Sequence, residues 1–161
     1  MELKKTMINL CELCAKGTAQ TMADGDVIVP DTKPDILKLL QVDSDACITD
    51  KYIENGKLVL GGKVFYKVLY IPDGDNEKIK SILTSMDFRQ VVEAKNADSD
   101  ANIIAKAMVE RVEFNTVNSR KLRLRAVIHI DYDVCRIYDS EIICVFLSIS
   151  SESTSQVISE S

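Results

Sequence analysis

The chain has one histidine, His129, and it lies in the stretch where an imidazole and carboxylates come closest to sharing a surface. In "RAVIHIDYDV", Asp131 and Asp133 follow it at two-residue spacing. On an extended strand all three point the same way, successive ones about 7 Å apart. Such a trio has the chemistry to hold a metal or relay a proton. A zinc set or a Ser-His-Asp arrangement would have to use His129, and nothing in the sequence orients it. Lys121, Arg123, Arg125, Val127, His129, Asp131 and Asp133 fall on one face, which reads as a solvated surface. The Gly61-Gly62-Lys63 triplet lacks the spacing of a phosphate loop and has Val64 where that loop needs Ser or Thr. It reads as a bulge or bend within a strand. The chain is therefore expected to be no enzyme, with no catalytic residues, no metal and no cofactor.

Five cysteines offer the other chemistry. Cys11 and Cys14 form a C-x-x-C, half of a zinc site with no second pair to complete it. On a strand they are about 10 Å apart and face opposite sides, so they do not bridge each other. They read either as small apolar strand residues in a reducing compartment or as cross-links between chains. Cys135 and Cys144 flank "RIYDSEII", which reads as strand, turn and strand with Asp139-Ser140 at the tip. Any even-numbered loop there sets the two cysteines directly opposite; with a two-residue loop they form a non-hydrogen-bonded pair about 4.5 Å apart at Cα, the short end of disulfide range. Cys135, Cys144, Cys11 and Cys14 are the candidate disulfide or cross-link residues.

The elements that carry these groups are mostly strands. The chain has 161 residues, 46% of them hydrophobic, enough for one domain with a sizeable core. Period-2 alternation is clearest in "KLRLRAVIHIDYDV", where Leu122, Leu124, Ala126, Ile128, Ile130, Tyr132 and Val134 share the buried side. "KVFYKVLYI" and "IKSILTSMDFRQVVE" read as a hairpin across the Pro72–Asn76 turn, and Asn55-Gly56 marks another. Residues 101–115 fit a strand with a bulge near Glu110-Arg111, or a helical stripe through Ala105, Met108, Val109 and Val112, with the strand favoured by its neighbours. "VPDTKPDILKLL" departs from the pattern. Pro34 suits a first helical turn, Asp35 complements the positive helix end, and Ile36, Leu39 and Leu40 make a stripe. A two-turn helix over 34–41 is expected, closing one end of a β-sandwich or docking a partner. The Ser-rich segment 148–161 reads as a flexible end or as an arm that pairs with another chain's sheet edge. No run reaches the ~20 apolar residues of a membrane helix, no signal peptide is read at the N-terminus, and the net charge of −5 comes without a basic block. Neither nucleic acid nor membrane is an expected partner. The face with Arg123, Arg125, His129 and Asp131 keeps a second class open, a module for a wall glycan or a metal.

"DGDVIVPDTKPDILKLLQVD", "KVFYKVLYIPDGD" and "VNSRKLRLRAV" together resemble the SPOCS domain of sporulating bacteria, over about Met7 to Tyr138. The resemblance implies an all-β, non-enzymatic protein of the spore envelope, in the coat or on the outer spore surface, made in the mother-cell cytoplasm. It would bind other envelope proteins or copies of itself, as a homo-oligomer, fibre or sheet. The expected layout is a single SPOCS-like β domain over 1–147 and a tail over 148–161. Pro30, Asp31, Lys33, Pro34, Asp35, Ile36, Leu39 and Leu40 are the candidate interaction or closing residues. One copy stands here and no LysM module follows, so a small building block is expected rather than a peptidoglycan binder.

Overall fold

The computed structural model describes residues 2–74, 78–149 and 152–158. Among them the chain is all β, with seven strands and no helix: β1 Glu2–Ile28, β2 Ile36–Glu54, β3 Lys57–Pro72, β4 Lys80–Glu93, β5 Asn102–Asn118, β6 Lys121–Ile149 and β7 Glu152–Ile158. One antiparallel sheet runs β1-β6-β5, with β7 also on β6; the other runs β2-β3-β4. The core lies between them. Leu58, Leu60, Val64, Tyr66, Val68 and Tyr70 from β3 meet Leu122, Leu124, Ala126, Ile128, Ile130 and Val134 from β6, all essentially inaccessible to solvent. The alternation that marked the two runs is thus the inward face of each sheet's central strand. Asn55-Gly56, both at positive φ, makes the two-residue turn between β2 and β3. Residues 102–118 are strand, with a register shift between Val109 and Arg111. A second shift, between Ile48 and Asp50, lies across from Gly61 and Gly62.

Two expectations are corrected. The helix over 34–41 is absent, because Ile36 opens β2 instead. Two register shifts leave Leu37 and Leu40 as extra residues, both exposed, while Ile36 and Leu39 turn inward. A bulged strand thus buries part of the stripe that a helix would have buried. It also gains a ladder with β3 that two helical turns cannot match. The hairpin at Asp139-Ser140 is absent too, since β6 runs straight through it. There β1 lies alongside, with Asn9 opposite Asp139 and Ile8 opposite Ser140, so the backbone groups are paired without a turn. Cys135 and Cys144 consequently sit on one strand, about 30 Å apart. Cys135 faces Leu13 and Asn102, and Cys144 faces Lys4. The segment after β6 returns along its own sheet, with Ile143 opposite Ile158 and Ile149 opposite Glu152. Part of the Pro72–Asn76 turn lies outside the described residues.

Candidate functional site

Residues 29–35 form a strap that carries the chain from the end of β1 in one sheet to the start of β2 in the other. A proline-rich crossing has few backbone donors and many carbonyls to satisfy. Arg120, in the tight turn between β5 and β6, supplies the donors. Its guanidinium donates to the carbonyls of Val29 and Pro30, both at 3.1 Å, and Lys33 at 3.4 Å, and pairs with the Asp35 carboxylate. Asp31, fully exposed, lies 3.6 Å from the same group. Around this fork the backbone closes as well: Val29 N–H donates to Arg120 O (2.8 Å) and Ile36 N–H to Ser119 O (2.7 Å). The Ser119 hydroxyl reaches Asp35 (3.2 Å), and the buried Tyr70 hydroxyl donates to Pro34 O (3.0 Å). Burial pushes the Tyr70 phenol above its ordinary pKa, with Arg120 opposing.

Pro30, Lys33, Pro34, Asp35 and Ile36 are thus brought together as a clamp that joins the two sheets. Leu39 continues into the core, and Leu40 does not take part. Arg120 is the residue that pattern reading missed. Its only signal was the Asn-Ser-Arg-Lys run, quoted as a likeness and never assigned a partner. The two most distinctive sequence runs of the chain meet here, 85 positions apart in the case of Asp35 and Arg120.

The surface around His129 is an open sheet face. His129 Nε2 lies 3.1 Å from Asp131, and Asp133 pairs instead with Lys16 on β1 at 3.4 Å. Arg123 and Arg125 both engage Asp24, at 3.0 and 3.1 Å, and their hydrogen bonds hold its carboxyl below the usual range. The cations proposed for a ligand are therefore partnered within the sheet. Among the described residues no group of three or more His, Cys, Asp and Glu converges.

A third feature has no counterpart in the sequence reading. Beyond Cys14, β1 and β6 continue together, and among the described residues no second sheet lies against them. No described side chain over 3–13 or 136–143 is buried. This arm extends roughly 45 Å past the sandwich. Apolar residues stand in the open along it: Leu3, Met7, Leu13 and Ile137, each more than half exposed, share one face, and Tyr138 stands on the other. Cys11 and Cys135 lie near its root on the first face. Cys14 is the extra residue between Leu13 and Ala15 and packs toward the core.

The family described as SipL, SPOCS domain matches residues 35–117, just over half of the chain, from the clamped Asp35 through β2, β3 and β4 to Val117 near the end of β5. Comparison with curated proteins and with solved structures found no match. The matched span contains the whole three-stranded sheet and the edge strand that faces it, inside the stretch over which the sequence resembles that family. On this ground the chain belongs to the SPOCS domain family and is a sporulation-associated protein.

Proposed function

We propose that this chain is a non-enzymatic building block of the spore envelope, in the coat or on the spore surface, that works through protein–protein contacts, including contacts between copies. The projecting arm supports this reading best. A narrow ribbon with no layer behind it gains little from its own chain. Leu3, Met7, Leu13 and Ile137 are left to water at a cost that a partner surface would remove. The clamp at Arg120 engages the strap residues within the sandwich, whereas the arm keeps apolar side chains open to contact. Size-exclusion chromatography and electron microscopy of the purified chain, with and without reductant, test it. Concentration-dependent oligomers, fibres or sheets are expected, and Met7→Lys with Ile137→Lys should return them to monomers while the circular dichroism stays β. A wild-type chain that stays monomeric at high concentration and binds no other envelope protein would overturn the reading.

A ligand-binding module for a wall glycan is the second reading, and one observation favours it. Gly61 floors an open depression of about 460 Å³ on the outer face of β2-β3-β4, lined by Asp50, Tyr52, Lys63, Asp87 and Arg89. Arg89 there donates to the Tyr52 hydroxyl at 3.2 Å. A thermal shift with glycan fragments that Tyr52→Ala abolishes would move the assignment to this class.

A further inference from the structure

In the order β1-β6-β5, β1 is an end strand, and along the arm its outer edge pairs with no described residue. An open edge offers a row of unpaired N–H and C=O groups to another strand. The edge strands β2 and β5 interrupt that row with three and two register shifts. β1 has a single shift, at Cys14, and neither bulge nor proline before it. That leaves a straight run from Leu3 to Leu13, centred on Ile8. A second copy of the same run fits it. Facing residues of an antiparallel pair point to one side of the sheet. A two-fold axis through the seam keeps the sides of both copies aligned, so odd positions face odd and even face even. The pairing that uses the whole run sets Ile8 opposite itself, Lys4 opposite Glu12, Leu3 opposite Leu13 and Met7 opposite Asn9. The charges favour it. Lys5 pairs with Glu141 inside the arm, whereas Lys4, exposed, makes no ion pair among the described residues. Glu12 gives one carboxylate oxygen to Arg136 and is half exposed, so its other oxygen is open to a second cation. Symmetry makes the Lys4–Glu12 contact twice. A parallel pairing in register would instead set Lys4 and Lys5 against their own copies, and like charges directly opposite are destabilising.

We propose that two copies join by the outer edges of β1, antiparallel about a two-fold axis at Ile8, into one continuous sheet β6-β1-β1-β6. The dimer rests on the reading of the arm as a contact surface, and it fixes the partner, the edge and the register. A two-stranded ribbon is marginal in water, and four strands side by side supply the width it lacks. Leu3 of one copy lies beside Leu13 of the other, so the apolar side chains of the two arms become neighbours on a shared face. The tip of each β1 stops where the other copy's sandwich begins, because Leu3 reaches only as far as Leu13, before the shift at Cys14.

The test is cysteine trapping in the full chain with its five native cysteines changed to alanine, its β content checked by circular dichroism. On oxidation with copper phenanthroline, Ile8→Cys should give a covalent dimer, because facing positions lie about 4.5–5.5 Å apart at Cα, within disulfide reach. Met7→Cys and Asn9→Cys should each stay monomeric alone, since their own copies are diagonal at roughly 7–8 Å, and should bridge to each other when mixed. In the chain with its native cysteines, Lys4→Glu should weaken dimerisation about tenfold by analytical ultracentrifugation, as two attractive contacts become repulsive. That second measurement decides the matter if the alanine chain does not fold. Bridging of Met7→Cys or Asn9→Cys alone with none at Ile8→Cys, or a Lys4→Glu chain that dimerises as tightly as the wild type, overturns the edge pairing and leaves the wider assembly reading standing. So does a wild-type chain that stays monomeric at high concentration, whose arm edge then belongs to another protein. Monomeric and without any envelope partner, the chain overturns the proposed function as well.

Discussion

Arg120 gives one planar fork to three carbonyls and a carboxylate, and a point charge does not reproduce that geometry. Arg120→Ala should cost about 2 kcal/mol of unfolding free energy, since it strands partly buried carbonyls of the strap. Arg120→Lys should recover less than half of that, as read by urea denaturation. Tyr66 presents the opposite case. Its ring fills the core at 2% exposure, but its hydroxyl has no hydrogen-bond partner among the described residues, and burial pushes its pKa up to about 12. Tyr66→Phe removes the orphaned group and should stabilise the fold by about 1 kcal/mol. The raised pKa means that the folded state holds the phenolic proton more tightly than the unfolded chain does. Its contribution is complete below about pH 10 and is lost as pH rises from there toward 12. A wild-type melting temperature that falls across this window faster than that of Tyr66→Phe would show the effect. Neither residue stood out from pattern alone. An arginine in a turn and a tyrosine on an alternating strand are ordinary until their partners are known.

At the scale of elements, the adjacent glycines of β3 have opposite duties. At Gly62 an added Cβ would lie 2.3 Å from both the Phe88 ring and the Cys47 carbonyl oxygen, whereas at Gly61 the nearest atom is 3.4 Å away, on Asp50. Gly62→Ala should therefore cost about 1–3 kcal/mol and Gly61→Ala close to nothing, as measured by thermal unfolding. Across from them the extra residue Thr49 bends β2. The reading of this glycine pair as a bulge or bend was thus correct as to location, with the bulge on the partner strand. Elements rich in large alternating residues, β3 and β6 above all, were legible. The strand β1 was much less so. Its inward positions Ala15, Gly17, Ala19, Thr21, Ala23 and Gly25 are too small to print a hydrophobic period. The helix expected over 34–41 failed for a related reason: an i, i+3, i+4 stripe and a twice-bulged strand bury nearly the same residues, and only the neighbouring β3 decides between them.

For the whole molecule, the core cluster begins at Ala23 on β1, and no described residue N-terminal to Cys14 belongs to it or packs against it. A chain lacking residues 1–12 should keep its sandwich, unfold cooperatively and lose only a few degrees of melting temperature, while any assembly through the arm disappears. Calorimetry beside electron microscopy separates the two effects. A truncated chain that fails to fold would show that the ribbon is part of the folding unit. The sandwich and its family were readable because alternation and two motif runs report on local neighbours. The arm was not, because it depends on pairing between the two ends of the chain, which no local pattern encodes.

That end-to-end pairing has a consequence during synthesis. Translation proceeds at about 5–20 residues per second, so the roughly ninety residues between Ile28 and Lys121 take on the order of 5–20 s to emerge. Throughout that delay the first strand hangs from the ribosome with both borders open, because its mate does not yet exist. On a crowded polysome the nearest finished sixth strand belongs to an older sibling, and the time available for a swap is set by codon speed as much as by affinity.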